Sequence, residues 1–185
     1  MALLQVFAAR TFSAFDELGL SLADREQIEH GRELAAGKIP RAIASLETLN
    51  AVQSRTGCAI FAVRGADGVA GALSIIPLTA AAWPLLRKGE FDGLNPPMEM
   101  VARPHDPVVA LYGWGMVGAT WRARGVILAA ALRLQRDVFA EVPIYGRAAS
   151  PGGKRVLLKR LGAEPAPGRG GLVLAPAFAT RQEAA

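Results

Sequence analysis

The sequence predicts a single α/β domain built on a mixed sheet, and three observations carry that reading. Apolar runs rich in Val and Ile, bounded by Gly and Pro, recur from Ala59 to Ile76 and again near Val108, Val142 and Leu172. Between the later runs lie two stretches whose apolar residues have helical spacing, so strand and helix alternate through the second half. With 51% apolar residues in 185, the chain can bury the core of one domain with at most a small appendage, so 1–185 is read as one unit.

Leu3 to Ala8 reads as a first strand. Ser13 and Ser21 each precede an acid by three positions, Asp16 and Asp24, which is the pattern of a helix cap. A helix is expected from about Leu22 to Ala36, closed by Gly37. Another is expected from Pro40, with Ile43, Leu46, Leu49 and Val52 along one side. Ala59 to Arg64 and Val69 to Ile76 read as a hairpin joined by a tight turn at Gly65 to Gly68. The segment from Pro77 to Pro107 holds Pro84, Pro96, Pro97 and Pro104 as well, too many for a regular strand or a long helix. Strand Val108 to Val117, helix Val126 to Phe139, strand Val142 to Arg147, helix Pro151 to Leu161 and strand Leu172 to Ala175 complete the order. Ser150 and Pro151 give the fourth of these a hydroxyl cap and a proline at its first position, and Gly162 can end it.

The most informative stretch is VGATWRARGVI, Val117 to Ile127. An apolar strand ends, a basic turn follows, and Gly125 opens a helix of Ala and Leu. A helix start leaves N–H groups without partners, and Arg122 and Arg124 add positive charge beside them, so a phosphate is the natural ligand. This stretch resembles the acyl-coenzyme A pyrophosphate loop of the GNAT-type N-acyltransferases: Arg or Gln, two residues, Gly, one residue, then Gly or Ala. Arg122 and Gly125 match, and Ile127 departs. Bulk at Ile127 is expected to hold the pyrophosphate off, so a glycine there should tighten binding. Further on, LLKRLGAEP from Leu157 to Pro165 is similar to the last helix of that family in its apolar and Gly positions.

The resemblance identifies a divergent member, covering about Leu3 to Pro176. It implies a GNAT-like fold, a mixed central sheet flanked by helices whose two central strands splay apart to admit the pantetheine arm. By it, Met116, Val117 and Gly118 would offer backbone groups to the pantetheine amides, and Ile144 to Arg147 would be the other splayed edge. Arg122, Ala123, Arg124, Gly125, Val126 and Ile127 would form the phosphate loop. The implied co-substrate is acetyl-coenzyme A or another acyl-coenzyme A, and the implied reaction moves its acyl group to an amine by direct attack.

Two proton-transfer residues usual in the family are missing. Leu158 stands where many members carry a Tyr that protonates the departing thiolate, and Leu has no proton to give. No Asp, Glu or His lies between Val108 and Val117. The chemistry therefore uses residues elsewhere, or relies on positioning and water, or the chain binds acyl-coenzyme A or a partner without catalysing. Tyr145 and Tyr112, the two tyrosines, each lie on a central strand and are the candidate acids, Tyr145 ahead of Tyr112. Glu99 is the candidate acid of the Pro-rich segment, which is expected to line or cover the acceptor pocket or else to be an ordinary packed connection.

Residues 1–121 hold ten Lys or Arg against twelve Asp or Glu, whereas residues 122–170 hold ten against three. That basic half suits coenzyme A phosphates. It disfavours nucleic acid, because only Trp121, Phe139 and Tyr145 interleave the charges. The expected partners are a small-molecule amine or a peptide, and a homodimer is compatible with the reading. No metal site is expected, since His30 and His105 have no ligand spacing. Cys58 opens the apolar run CAIFAV and reads as a buried thiol. Met1 to Ala9 lacks the basic lead of an export signal and Val126 to Leu132 is too short to cross a bilayer, so a cytoplasmic protein away from membranes is expected.

Overall fold

The computed structural model describes residues 2–66, 68–166 and 171–178. Strands β1 (Leu20–Leu22), β2 (Ile60–Gly65), β3 (Gly68–Leu78), β4 (Ala110–Gly118), β5 (Ile144–Arg147), β6 (Glu164–Pro165) and β7 (Leu172–Ala175) form one sheet in the order β1-β2-β3-β4-β5-β7-β6. All neighbouring pairs are antiparallel except β4 and β5. The parallel pair needs a crossover, and helix α5 (Trp121–Arg133) supplies it. The fold is thus the mixed α/β sheet that the alternation of elements predicts.

Helices α1 (Leu4–Asp16) and α5 cover one face of the sheet, where Phe7, Phe15, Leu73, Leu111, Ile127 and Leu134 share a core. Helices α2 (Arg25–Ala36) and α3 (Leu46–Thr56) cover the other, where Ile28, Leu49, Val52, Ile76 and Tyr112 share a second. Alternate strand residues feed the two cores, as the pleat requires.

Several boundaries differ from the sequence reading. Leu3 to Ala8 is not a strand but the start of α1, whose buried residues Leu4, Phe7, Thr11 and Phe15 recur at steps of three and four. A run of apolar residues this short satisfies either period, and only the later Thr11 and Phe15 break the tie. Ser13 therefore lies inside α1, and Ser21 lies in β1. Asp24 is the true cap of α2: it accepts from the N–H of Gln27, whose side chain returns a bond to the N–H of Asp24. Helix α3 begins at Leu46 under the hydroxyl of Ser45, leaving Pro40 and Ile43 in a loop. The hairpin stands as β2 and β3, although Asp67 in its turn lies outside the described residues.

Gly125 is not at a helix start. Helix α5 begins four residues earlier, because the Thr120 hydroxyl accepts the N–H of Ala123. After Arg133 the helix widens into a π turn, Leu134–Val138, in place of an unbroken helix to Phe139. Helix α6 (Pro151–Lys159) has the Ser150 cap and Pro151 start that the sequence predicts. The Pro-rich segment holds a short helix α4 (Trp83–Lys88) with Pro84 in its first turn, between two turns of tighter helix.

Candidate functional site

Strands β4 and β5 pair only from Leu111 to Gly113 against Ile144 to Gly146. Beyond that point β4 runs on to Gly118, still paired with β3 on its other side, and among the described residues no strand lies beside its β5-facing edge from Trp114 onward. A bulge starts the divergence: Ser74 pairs with Gly115 and Ile75 with Gly113, which leaves Trp114 as the extra residue. Such a bulge bends and twists its strand, and bulges are common beside binding sites.

A cavity of about 460 Å³ lies under α2 on one side of this gap, with Tyr112, Trp114, Gly115 and Met116 in its wall. A second cavity of about 150 Å³ lies on the opposite face, between α6 and the end of α5, walled by Leu134, Gly153, Val156 and Leu157. The two share Ser74, Trp114, Gly115, Met116, Arg147 and Ala148. The sheet therefore opens between β4 and β5, and the residues at the opening border a roomy pocket on one face and a narrow groove on the other. Backbone N–H and C=O groups along an unpaired strand edge need partners, and an extended ligand with amide groups can supply them.

Helix α5 starts at the end of this edge. Thr120 occupies the first-turn donors of Ala123 and Arg124, through its hydroxyl and carbonyl, and Trp121 and Arg122 supply the other N–H groups. Arg124 turns its Nε back to the carbonyl of Thr120, at 3.3 Å. Arg122 is exposed and its side chain makes no such bond among the described residues. Of the expected phosphate-loop residues, Arg122, Arg124 and Gly125 face solvent, while Ala123 and Ile127 are buried. The steric objection to Ile127 is corrected by its direction: its Cδ1 lies 2.6 Å from where a Cβ on Gly71 would be, between α5 and the sheet. Its bulk fills the core, and Gly71 is the residue that lets it fit.

On α6 the groove meets Gly153, with Val156 and Leu157 three and four residues further along the same side, and just past the helix it meets Leu161. Leu158 is not in the wall. The position where the resemblance expects a Tyr and the groove-lining position thus differ by one residue, and both are leucine.

Tyr112 and Tyr145 are register partners on the same face of the sheet, yet their surroundings differ. Tyr112 packs against Phe91 with ring centres 5.0 Å apart and against Gly93, where a Cβ would come within 2.7 Å of the ring. Burial pushes its phenol pKa up, and the charge and hydrogen bond of Arg147 pull the other way. Tyr145 meets Trp83 edge-on at 6.4 Å; burial raises its pKa, opposed by the charge of Arg87. It stands between α4 and the smaller cavity, whose wall it joins.

Arg147 ties the Pro-rich segment to this site. Its guanidinium donates to the carbonyls of Phe91 and Gly89, at 2.7 and 2.6 Å, while the Trp114 indole donates to the carbonyl of Gly93. Asp92, Gly93 and Leu94 thereby become a wall of the larger cavity. The acid brought there is Asp92. Glu99 is exposed on a turn whose flanking Met98 and Met100 pack into the core, and it lines neither cavity. The sequence reading did not single out Ser74, Asp92 or Trp114, and it placed Arg147 on the splayed edge by resemblance without giving its side chain a role. Only Arg147 left a signal, a cation in an otherwise apolar four-residue strand.

Among the described residues no cluster of His, Cys, Asp and Glu is disposed to hold a metal ion, and no helix is long and apolar enough to cross a membrane. Burial pushes the Cys58 thiol up to about 12. We expect it to resist an aromatic disulfide reagent at neutral pH until the chain is unfolded, because only the thiolate reacts. Stoichiometric labelling in native buffer would refute that burial.

The sequence matches no family model and no curated protein. A solved structure described as "GphF GNAT-like decarboxylase in complex with isobutyryl-CoA" is similar at TM-score 0.45 and 19% identity, over 75% of this chain and 70% of that one. A likeness of this degree concerns the course of the backbone alone.

Proposed function

We propose that this chain binds an acyl-coenzyme A across the breach between β4 and β5 and transfers the acyl group to an amine. The observation that carries the reading is the open edge of β4 from Trp114 to Gly118, with a cavity on each face of the sheet and the start of α5 at its end. The pantetheine arm occupies the groove beside α6 and pairs its amides with that edge, as an added strand would. The diphosphate meets the first N–H groups of α5 and the guanidinium of Arg122. The thioester then reaches Trp114 to Met116, where the two cavities meet. The acceptor approaches from the larger one.

In this arrangement the neutral amine attacks the thioester carbon, the C–N bond forms, the C–S bond breaks, the nitrogen gives up one proton, and the thiolate takes up one, so that an amide and the free thiol leave. Alignment supplies much of the acceleration, since well-oriented intramolecular reactions gain up to about 7–11 kcal/mol. Titration calorimetry with acetyl-coenzyme A tests the binding. Arg122→Ala should weaken it by about 1.5–3 kcal/mol, the scale of a charge-assisted hydrogen bond. Absence of heat and of thermal stabilisation at millimolar ligand would overturn the reading. A second reading, binding without catalysis, is favoured by Leu157 and Leu158 and by the groove-lining residues of α6, Gly153, Val156 and Leu157, none of which has a proton to give. Binding with no release of thiol across a broad amine panel would select it.

A further inference from the structure

We infer that the larger cavity selects an acceptor with an apolar body, an amine at one end and a carboxylate at the other, and turns away polycationic amines. The inference rests on the acyl-transfer reading of the breach. At about 460 Å³ the cavity is of a size that holds a small molecule. Its interior is apolar and hollowed by small side chains: Ala23, Ala44, Ala62 and Ala72 stand in the wall beside Leu49 and Ile60. A ring or branched chain loses water there at no polar cost.

The charges in the wall are lopsided. Arg32, Arg41 and Arg147 face a single carboxylate, Asp92. The Oδ1 of Asp92 already accepts the N–H of Leu94 at 2.8 Å. An ammonium drawn into this cavity would lose water and meet three guanidinium groups, which is costly. A neutral amine pays no such penalty, and it is the neutral form that attacks. Arg32 donates its Nε to the carbonyl of Ala44 at 3.1 Å, which fixes the guanidinium against the loop. Arg41 is exposed, and among the described residues its side chain makes no hydrogen bond or ion pair. A carboxylate near these two arginines gains charge-assisted hydrogen bonds. The solvent exposure of Arg41 puts that anion toward the mouth, while the reacting carbonyl lies at Trp114 to Met116. The amine and the carboxylate are therefore at opposite ends of the acceptor.

The test begins with acetyl-coenzyme A alone, by calorimetry. Failure there, with the fold intact by circular dichroism, overturns the acyl-transfer reading and with it this inference. With the coenzyme bound, three probes are titrated: para-(aminomethyl)benzoate, its carboxylate-free twin benzylamine, and spermidine. The benzoate should bind at least about tenfold more tightly than benzylamine, a difference of about 1.4 kcal/mol, and spermidine should bind least. Arg41→Ala should narrow the gap between the first two. Thiol release should follow the same order. Equal binding of benzoate and benzylamine, preference for spermidine, or binding of none of the three while acetyl-coenzyme A binds, would each overturn the inference and leave the coenzyme site standing.

Discussion

Ile127→Ala is expected to lower the unfolding free energy by about 2–5 kcal/mol and to leave acetyl-coenzyme A affinity no tighter. Ile127 is 2% exposed and projects from α5 against Gly71 of β3, in the core shared with Leu73, Leu111 and Leu134. Truncation would remove three buried carbon atoms and leave a void that the close contact of helix and sheet cannot collapse. Its backbone N–H belongs to the second turn of the helix, beyond the donors that a phosphate could reach. Urea unfolding followed by circular dichroism measures the first effect, calorimetry the second. An unchanged midpoint together with tighter binding would return Ile127 to the phosphate loop.

The misplacement of Ile127 shows where the sequence stops speaking. The string from Val117 to Ile127 carries strand, basic turn and helix plainly, and all three are present. Whether the helix begins at Trp121 or Gly125 depends on which residue caps it, and Thr120 is as good a cap chemically as the Gly125 pattern is suggestive. With the start at Trp121, Ile127 falls in the second turn, on the face it shares with buried Ala123. The hairpin and the alternation of strand and helix after Val108 were legible because their periods are strong and their punctuation clear. Residues 4 to 8 were not, because an apolar run of that length fits a strand and a helix equally. The site was least legible of all. Its main element is a backbone edge, which has no side-chain signature, and its walls come from Ser74, Asp92, Trp114 and Arg147, scattered over three strands and a connection. Only pairing registers bring them together.

Tyr112→Phe is expected to lower turnover at least about 10²-fold while coenzyme affinity holds, whereas Tyr145→Phe should cost less than about tenfold. The sequence placed Tyr145 first, on its strand alone. We place Tyr112 first because it is hydrogen-bonded with Arg147 in the wall of the larger cavity, from which the acceptor approaches, whereas Tyr145 lines the smaller cavity and packs against Trp83, with Arg87 of α4 nearby. A phenol at the cavity wall can hand its proton to the departing thiolate, and the guanidinium beside it steadies the phenolate left behind. The sign of the pH dependence follows. Burial raises the Tyr112 pKa above its ordinary 10.0, so the acid form persists through neutral pH and beyond. The apparent kcat/KM should therefore climb with pH as the acceptor amine loses its proton, and should not turn down before pH about 10. A downturn well below that value, absent in Tyr112→Phe, would assign it a lowered pKa and contradict the burial. Loss of the hydroxyl leaves the bonds from Arg147 to Phe91 and Gly89 in place, so the cavity wall should survive the substitution and a change in turnover reports on the proton. Full activity of the Tyr112→Phe, Tyr145→Phe double variant would remove both phenols. It would pass the transfer to ordered water, with the Ser74 hydroxyl at the junction of the two cavities as the polar side chain best placed to hold it.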